Sequence, residues 1–169
     1  MSLTLILIRH AKSAYPSGPD HDRPLNDRGR RQAPPIGRWL AEKGWAPDLA
    51  LVSTAARAQE TWEGVAKGLG AEVPREDLRA LYHAPPQAMR DALAGREART
   101  IALVAHNPGM AELAAKVART APDHPRFYDY PTGATLVVRF DGEDWARAAR
   151  GAGEVLGFTI PADLEGAPG

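Results

Sequence analysis

Cysteine is absent from the chain, which excludes disulfides, thiolate-held metals and any covalent mechanism with a cysteine nucleophile. An excess of charge of either sign is also lacking: lysine plus arginine and aspartate plus glutamate number 21 each, for a formal net charge of zero. No basic stripe therefore points to nucleic acid or to an anionic membrane surface. No apolar run reaches membrane-spanning length. The N-terminal run, Leu3 to Ile8, has no basic segment ahead of it and is cut off by Arg9 and His10, unlike a secretory leader. No glycine-rich loop follows the apolar runs, which removes a nucleotide-binding α/β domain, and no repeat or low-complexity tract is present. At 169 residues the chain can build one core without covalent staples. We expect a single small domain over residues 1–169, frayed from about residue 165, and a cytoplasmic location by default because no address is legible.

Three short apolar runs are the clearest positive feature. Leu3 to Ile8, Leu49 to Val52 and Ile101 to Ala105 lack polar alternation, which reads as strands buried on both faces of a mostly parallel sheet. Ala134 to Phe140 reads as a further strand, Gly157 to Ile160 as an edge strand and Leu78 to Tyr82 as a short one. Between them, Asn26-Asp27 starts a helix whose apolar face runs through Ile36, Trp39 and Leu40 to a stop near Gly44. Pro34 and Pro35 lie inside it, which predicts a kink or a split into two short helices. Arg57 to Gly68 and Pro86 to Ala94 read as helices, and Asn107 is placed to cap another with Pro108 at its first position. Ala14 to Arg23 and Arg119 to Pro131 read as loops. Strands alternating with helices give an α/β fold, a three-layer α/β/α sandwich around a mostly parallel central sheet.

Each of the three buried runs ends on chemistry-bearing residues. Arg9-His10 follows the first, Ser53-Thr54-Ala55-Ala56-Arg57 the second and His106-Asn107-Pro108-Gly109 the third. Ligands in open α/β sheets bind outside the carboxyl ends of the strands, so these residues can meet there. Arg9 and Arg57 bring planar donor forks suited to phosphate oxygens, and His10 and His106 bring a potential nucleophile and a further donor.

The block Arg9-His10-Ala11-Lys12-Ser13 resembles the R-H signature that opens the histidine phosphatase (phosphoglycerate mutase-like) superfamily. The resemblance continues through Arg23-Pro24-Leu25 with Arg28-Gly29 and Gln32-Ala33, through Ser53 to Thr61, and through His106 to Gly109, in the family's order. Short length with these blocks is most similar to the SixA branch, the small phosphohistidine phosphatases. The resemblance implies a metal-independent hydrolase without cofactor. His10 would be the nucleophile and would pass through a phosphohistidine intermediate, assisted by Arg9, Arg57 and His106, with Arg23 and Asn107 contacting substrate. The substrate would be a protein bearing phosphohistidine or, alternatively, a small phosphorylated metabolite; a phosphate-binding regulatory module without turnover is the rival of another class. A mutase is disfavoured because no added basic cluster would hold a second phosphate.

Larger relatives carry a glutamate near the position of Tyr82-His83-Ala84 as the acid to the leaving group. No acidic residue stands there in this chain, so the proton donor is open between Asp20, Asp22, His83 and water. A leaving nitrogen that is readily protonated tolerates this better than an alkoxide. Asp20-His21-Asp22 reads as a solvated charge patch rather than a metal site, and His124, between prolines, as a surface residue.

Overall fold

The structure, a computed structural model, describes residues 1–165; of the frayed end expected from about residue 165, all but Glu165 lies outside them. The strands are β1 (Ser2–Arg9), β2 (Leu49–Ser53), β3 (Arg75–Leu78), β4 (Thr100–Ala105), β5 (Thr135–Asp141) and β6 (Glu154–Thr159). They form one six-stranded sheet in the order β3-β2-β4-β1-β5-β6. β1, β2, β3 and β4 run parallel, and β5 pairs antiparallel with both β1 and β6. The helices are α1 (Asp27–Lys43), α2 (Ala56–Leu69), α3 (Pro86–Leu93), α4 (Gly109–Val117), α5 (Trp145–Ala148) and α6 (Pro161–Leu164).

The unbroken apolar character of β1 follows from its burial on both faces. Leu3, Leu5 and Leu7 join Leu103, Leu113 and Phe127 in one core cluster. Ile6 and Ile8 join Ile36, Leu40, Trp62 and Val65 of α1 and α2 in the other. Burying a side chain of this kind contributes about 1.5–3 kcal/mol, so the central strand is a rigid base for whatever follows Arg9.

The helix expected from Asn26 is capped as read: Asn26 Oδ1 accepts from Gly29 N at 2.8 Å, and the helix ends on Gly44 with φ 77°. It is not split at Pro34-Pro35 but runs unbroken for 17 residues. Packing against α2 explains its continuity. A Cβ on Gly68 would lie 2.0 Å from the Pro34 carbonyl oxygen, and one on Gly37 would lie 2.0 Å from that of Val65. The two helices thus meet backbone to backbone, and this contact offsets the lost prolyl hydrogen bonds.

Other boundaries move. The short strand expected at Leu78 to Tyr82 lies earlier, at Arg75–Leu78, and a 3-10 turn over Arg79–Leu81 follows it. Its charged residues suit a sheet edge, where backbone pairing with β2 suffices and no apolar pattern marks the strand. β6 likewise starts before Gly157, and α4 starts at Gly109, with the Asn107 side chain still accepting from Ala111 N at 3.1 Å. The four-residue α5 and α6 are too short to register as a helical period. Part of the Ala14 to Arg23 loop is a 3-10 turn over Asp20–Asp22. His124 is not a plain surface residue: it pairs with Asp163 of α6 at 2.8 Å and packs on the Phe158 ring.

Candidate active site

Strand register builds the site. Arg9 of β1 is paired with Ala105 of β4, so the next residue on each strand, His10 and His106, emerges beside the other. Their ring centroids are 5.2 Å apart, and β2 ends alongside with Ser53.

Ala11 fixes the His10 ring. Its carbonyl lies 2.8 Å from His10 Nδ1, and a carbonyl only accepts, so Nδ1 carries the proton and Nε2 keeps its lone pair. The same residue's N–H donates to Thr61 Oγ1 at 2.9 Å, and Thr61 in turn donates to Arg57 O at 2.7 Å. Burial, reinforced by the nearby positive charge of Arg9, Arg57 and Arg23, pushes the His10 imidazole down to about 3, so it is neutral at ordinary pH. His106 is held down to about 3 as well, by burial first and then by His10 and Arg57. Its Nε2 lies 2.8 Å from Ser53 Oγ, which also accepts from Ala55 N.

Arginines surround this pair. Arg57, at the first turn of α2 and only 2 % exposed, donates to the Asp20 carbonyl at 2.8 Å and to its carboxylate at 3.0 Å. Arg23 reaches the other carboxylate oxygen at 3.2 Å. Arg9 donates to Tyr130 O at 3.1 Å. Arg9 Nε, Arg23 Nε, Arg57 Nε and His106 Nδ1 are buried without a protein partner. Unpaired buried polar atoms are costly in a native fold and call for an explanation. Guanidinium forks converging around a neutral imidazole lone pair can hold a tetrahedral oxyanion and accept a phosphoryl group.

The acid candidates separate. Asp20 accepts from Tyr82 Oη at 2.5 Å and lies 3.2 Å from His83 Nε2. The Tyr82 hydrogen bond and the two arginines hold its carboxyl well below the usual range, so Asp20 is a carboxylate. Asp22 is exposed and pairs with His21 at 3.8 Å, while His21 bonds Thr54 Oγ1 and stands edge-on to Tyr82. His83 stands 5.4 Å from the His106 ring. The Asn107 amide nitrogen donates to the carbonyls of Asp129 and Tyr130, and the Tyr130 carbonyl also accepts from Arg9. Among the described residues no cluster of His, Asp or Glu could hold a metal ion.

Sequence reasoning passed over Ser53, Thr61, Tyr82 and Tyr130. Ser53 and Thr61 bound the S-T-A-A-R-A-Q-E-T block, where their spacing around Arg57 was the available signal. Tyr82 had only its adjacency to His83, and Tyr130 had none, because a loop closure brings it to Arg9.

The sequence pattern of the histidine phosphatase superfamily (branch 1) matches residues 5–81. An uncharacterized protein of Mycobacterium tuberculosis is 35% identical over 162 residues, covering 91% of this chain and 99% of that protein. Among solved structures, the SixA protein of Nakamurella multipartitia, assigned as a phosphohistidine phosphatase, superposes with a TM-score of 0.83 at 26% identity, over 95% of this chain and 97% of the other. The corresponding Agrobacterium tumefaciens protein gives a TM-score of 0.75 at 26% identity, over 94% and 98%. With the Arg-His strand end, the six-stranded sheet and these likenesses in agreement, the chain belongs to the histidine phosphatase superfamily and is a hydrolase of SixA-like fold.

Proposed function

We propose that this hydrolase cleaves the P–N bond of phosphohistidine on a protein partner, through a phosphoenzyme on His10. One observation carries the reading: the Ala11 carbonyl accepts a hydrogen bond from His10 Nδ1–H, which leaves Nε2 as a neutral nucleophile among Arg9, Arg23, Arg57 and His106. Nε2 attacks phosphorus in line, the bond to the substrate's imidazole nitrogen breaks, and that imidazole departs with a proton. Water then attacks the phosphorylated His10, releasing orthophosphate and restoring the neutral ring. The transferring group spreads negative charge over its equatorial oxygens. Arg9, Arg57 and His106, with Arg23 beside Asp20, supply the positioned donors that stabilise it and do the work other phosphoryl-transfer sites give to a metal.

The substrate class rests on the leaving group. Tyr82-His83-Ala84 offers no carboxylic acid, and Asp20 is locked as a carboxylate by Arg57 and Tyr82. An imidazole leaves readily once protonated, whereas an alkoxide needs a strong acid. Turnover of a phosphohistidine-bearing protein should therefore be compared with that of a panel of alkyl and sugar phosphates, in excess chelator. The expected result is undiminished activity under chelation and a preference for the phosphoprotein of at least about a hundredfold in kcat/KM, the low end of what a positioned acid contributes. Equal or better turnover of sugar phosphates would move a small-metabolite phosphatase ahead, and activity only on addition of a divalent metal would overturn the pocket assignment.

A further inference from the structure

We propose that His83 is the proton donor to the leaving group, with its Nδ1–H as the acid and Asp20 as the carboxylate that keeps its imidazolium in place. This rests on the phosphoryl-transfer reading of His10 and goes beyond it by assigning the acid.

The backbone is the first observation. His83 has φ 53°, in the left-handed region that a non-glycine residue occupies at a cost. Neighbouring structure holds it there. The Ala84 carbonyl packs so closely on Gly109 that a Cβ at that glycine would lie 1.9 Å from its oxygen. Ala84 is thereby fixed against the first turn of α4, directly after the loop that carries His106. The residue before it is clamped too, because Tyr82 donates to Asp20 at 2.5 Å. Between these two anchors the chain has no choice but to present residue 83 toward the cleft.

The ring is the second observation. The His83 ring lies 4.1 Å from that of Tyr82, tilted by 38°, and 5.4 Å from His106, whose own ring is 5.2 Å from His10. Its Nε2 is 3.2 Å from Asp20 Oδ2. A carboxylate only accepts, so Nε2 carries a proton in either charge state, and the proton that comes and goes is the one on Nδ1. No residue among those described takes a hydrogen bond from Nδ1, and the side chain is half-exposed. The charged and titratable groups around His83 are Asp20, whose carboxylate also holds Arg23 and Arg57, His21 beside Tyr82, and His106 from the end of β4. Of these, Asp20 is in direct contact.

The step balances. As His10 Nε2 bonds phosphorus and the P–N or P–O bond breaks, Nδ1–H passes its proton to the departing atom and His83 becomes neutral. The neutral ring then takes a proton from the water that hydrolyses the phosphoenzyme, so both histidines return to their starting forms. An imidazolium donor is also matched in acidity to a leaving imidazole, which makes proton transfer to phosphohistidine close to thermoneutral. A carboxylic acid in its place would serve alkoxides better.

Two esters with different need of an acid test the assignment: phenyl phosphate, whose leaving group is strongly basic, and p-nitrophenyl phosphate, whose leaving group departs almost unaided. His83→Asn is the primary variant, since asparagine tolerates the left-handed backbone and cannot act as an acid; His83→Ala is the second. The expected loss in kcat/KM is about a hundredfold greater for phenyl phosphate than for p-nitrophenyl phosphate. The wild-type phenyl phosphate rate should also fall toward alkaline pH, and that fall should vanish in His83→Asn. Equal losses on both esters, or a high-pH fall that persists in the variant, would overturn the donor while leaving the nucleophile standing. A wild-type protein inert on both esters, or one whose rates survive His10→Ala, would overturn the His10 reading and the donor with it.

Discussion

His10 and His106 differ from ordinary histidines because the fold buries them beside arginines, and that has a consequence for stability. Each imidazole is held down to about 3 in the folded protein against an ordinary 6.5. Between those values the unfolded chain binds more protons than the folded one, so stability is greatest above pH 6.5 and declines as pH falls through the window. The slope should approach about 1.4 kcal/mol per pH unit for each histidine. Urea midpoints of the wild type and His10→Ala, measured from pH 7 to pH 4, check this: the variant should lose midpoint less steeply with acidification. Parallel curves would mean that His10 titrates normally. At this scale Arg9, His10, Arg57 and His106 were legible as one cluster, because each follows a buried strand whose carboxyl end opens on the same crevice. The ring contacts were not, because Ala11, Ser53 and Tyr82 act through hydrogen bonds between segments that only folding brings together.

Among the elements, α1 and α2 carry the site by holding β1 and Arg57 in fixed relation, and glycines set their spacing. Gly37, Gly64 and Gly68 face the partner helix so closely that added Cβ atoms would lie 2.0, 2.6 and 2.0 Å from its atoms. Two effects oppose each other in a glycine-to-alanine change here. Helix propensity favours alanine by up to about 1 kcal/mol, whereas overpacking costs about 1–3 kcal/mol. The contact is with backbone that cannot swing aside, so overpacking should win. Gly37→Ala and Gly68→Ala should each lower stability by about 1–2 kcal/mol, read from urea denaturation; a neutral or stabilising result would show that the helices can separate without penalty. The same interface explains why two prolines did not break α1. Proline rules describe an isolated helix, and the sequence does not display the neighbour that overrides them. The edge strand β3 escaped notice for a related reason: Arg75, Glu76 and Asp77 carry no apolar alternation, and only pairing with β2 makes them a strand.

For the whole molecule, the sheet order was the hidden quantity. Three buried runs with functional residues at their ends were readable, but nothing in the chain stated that β1 and β4 are adjacent and parallel, with Arg9 opposite Ala105. That register turns Arg9-His10 and His106, far apart in sequence, into one site, and β2 beside β4 adds Ser53 and Arg57. With equal numbers of acidic and basic residues in the chain, the positive character of the site is a matter of local arrangement. The chemistry therefore turns on His10, and a trapping experiment tests its role. Wild-type protein and His10→Ala are mixed briefly with a phosphate-labelled substrate, denatured, and assayed for label bound to protein. The expected result is label on the wild type alone, at His10, stable in alkali and lost in acid. Equal label on His10→Ala, or an acid-stable ester at a residue such as Ser13, would contradict it.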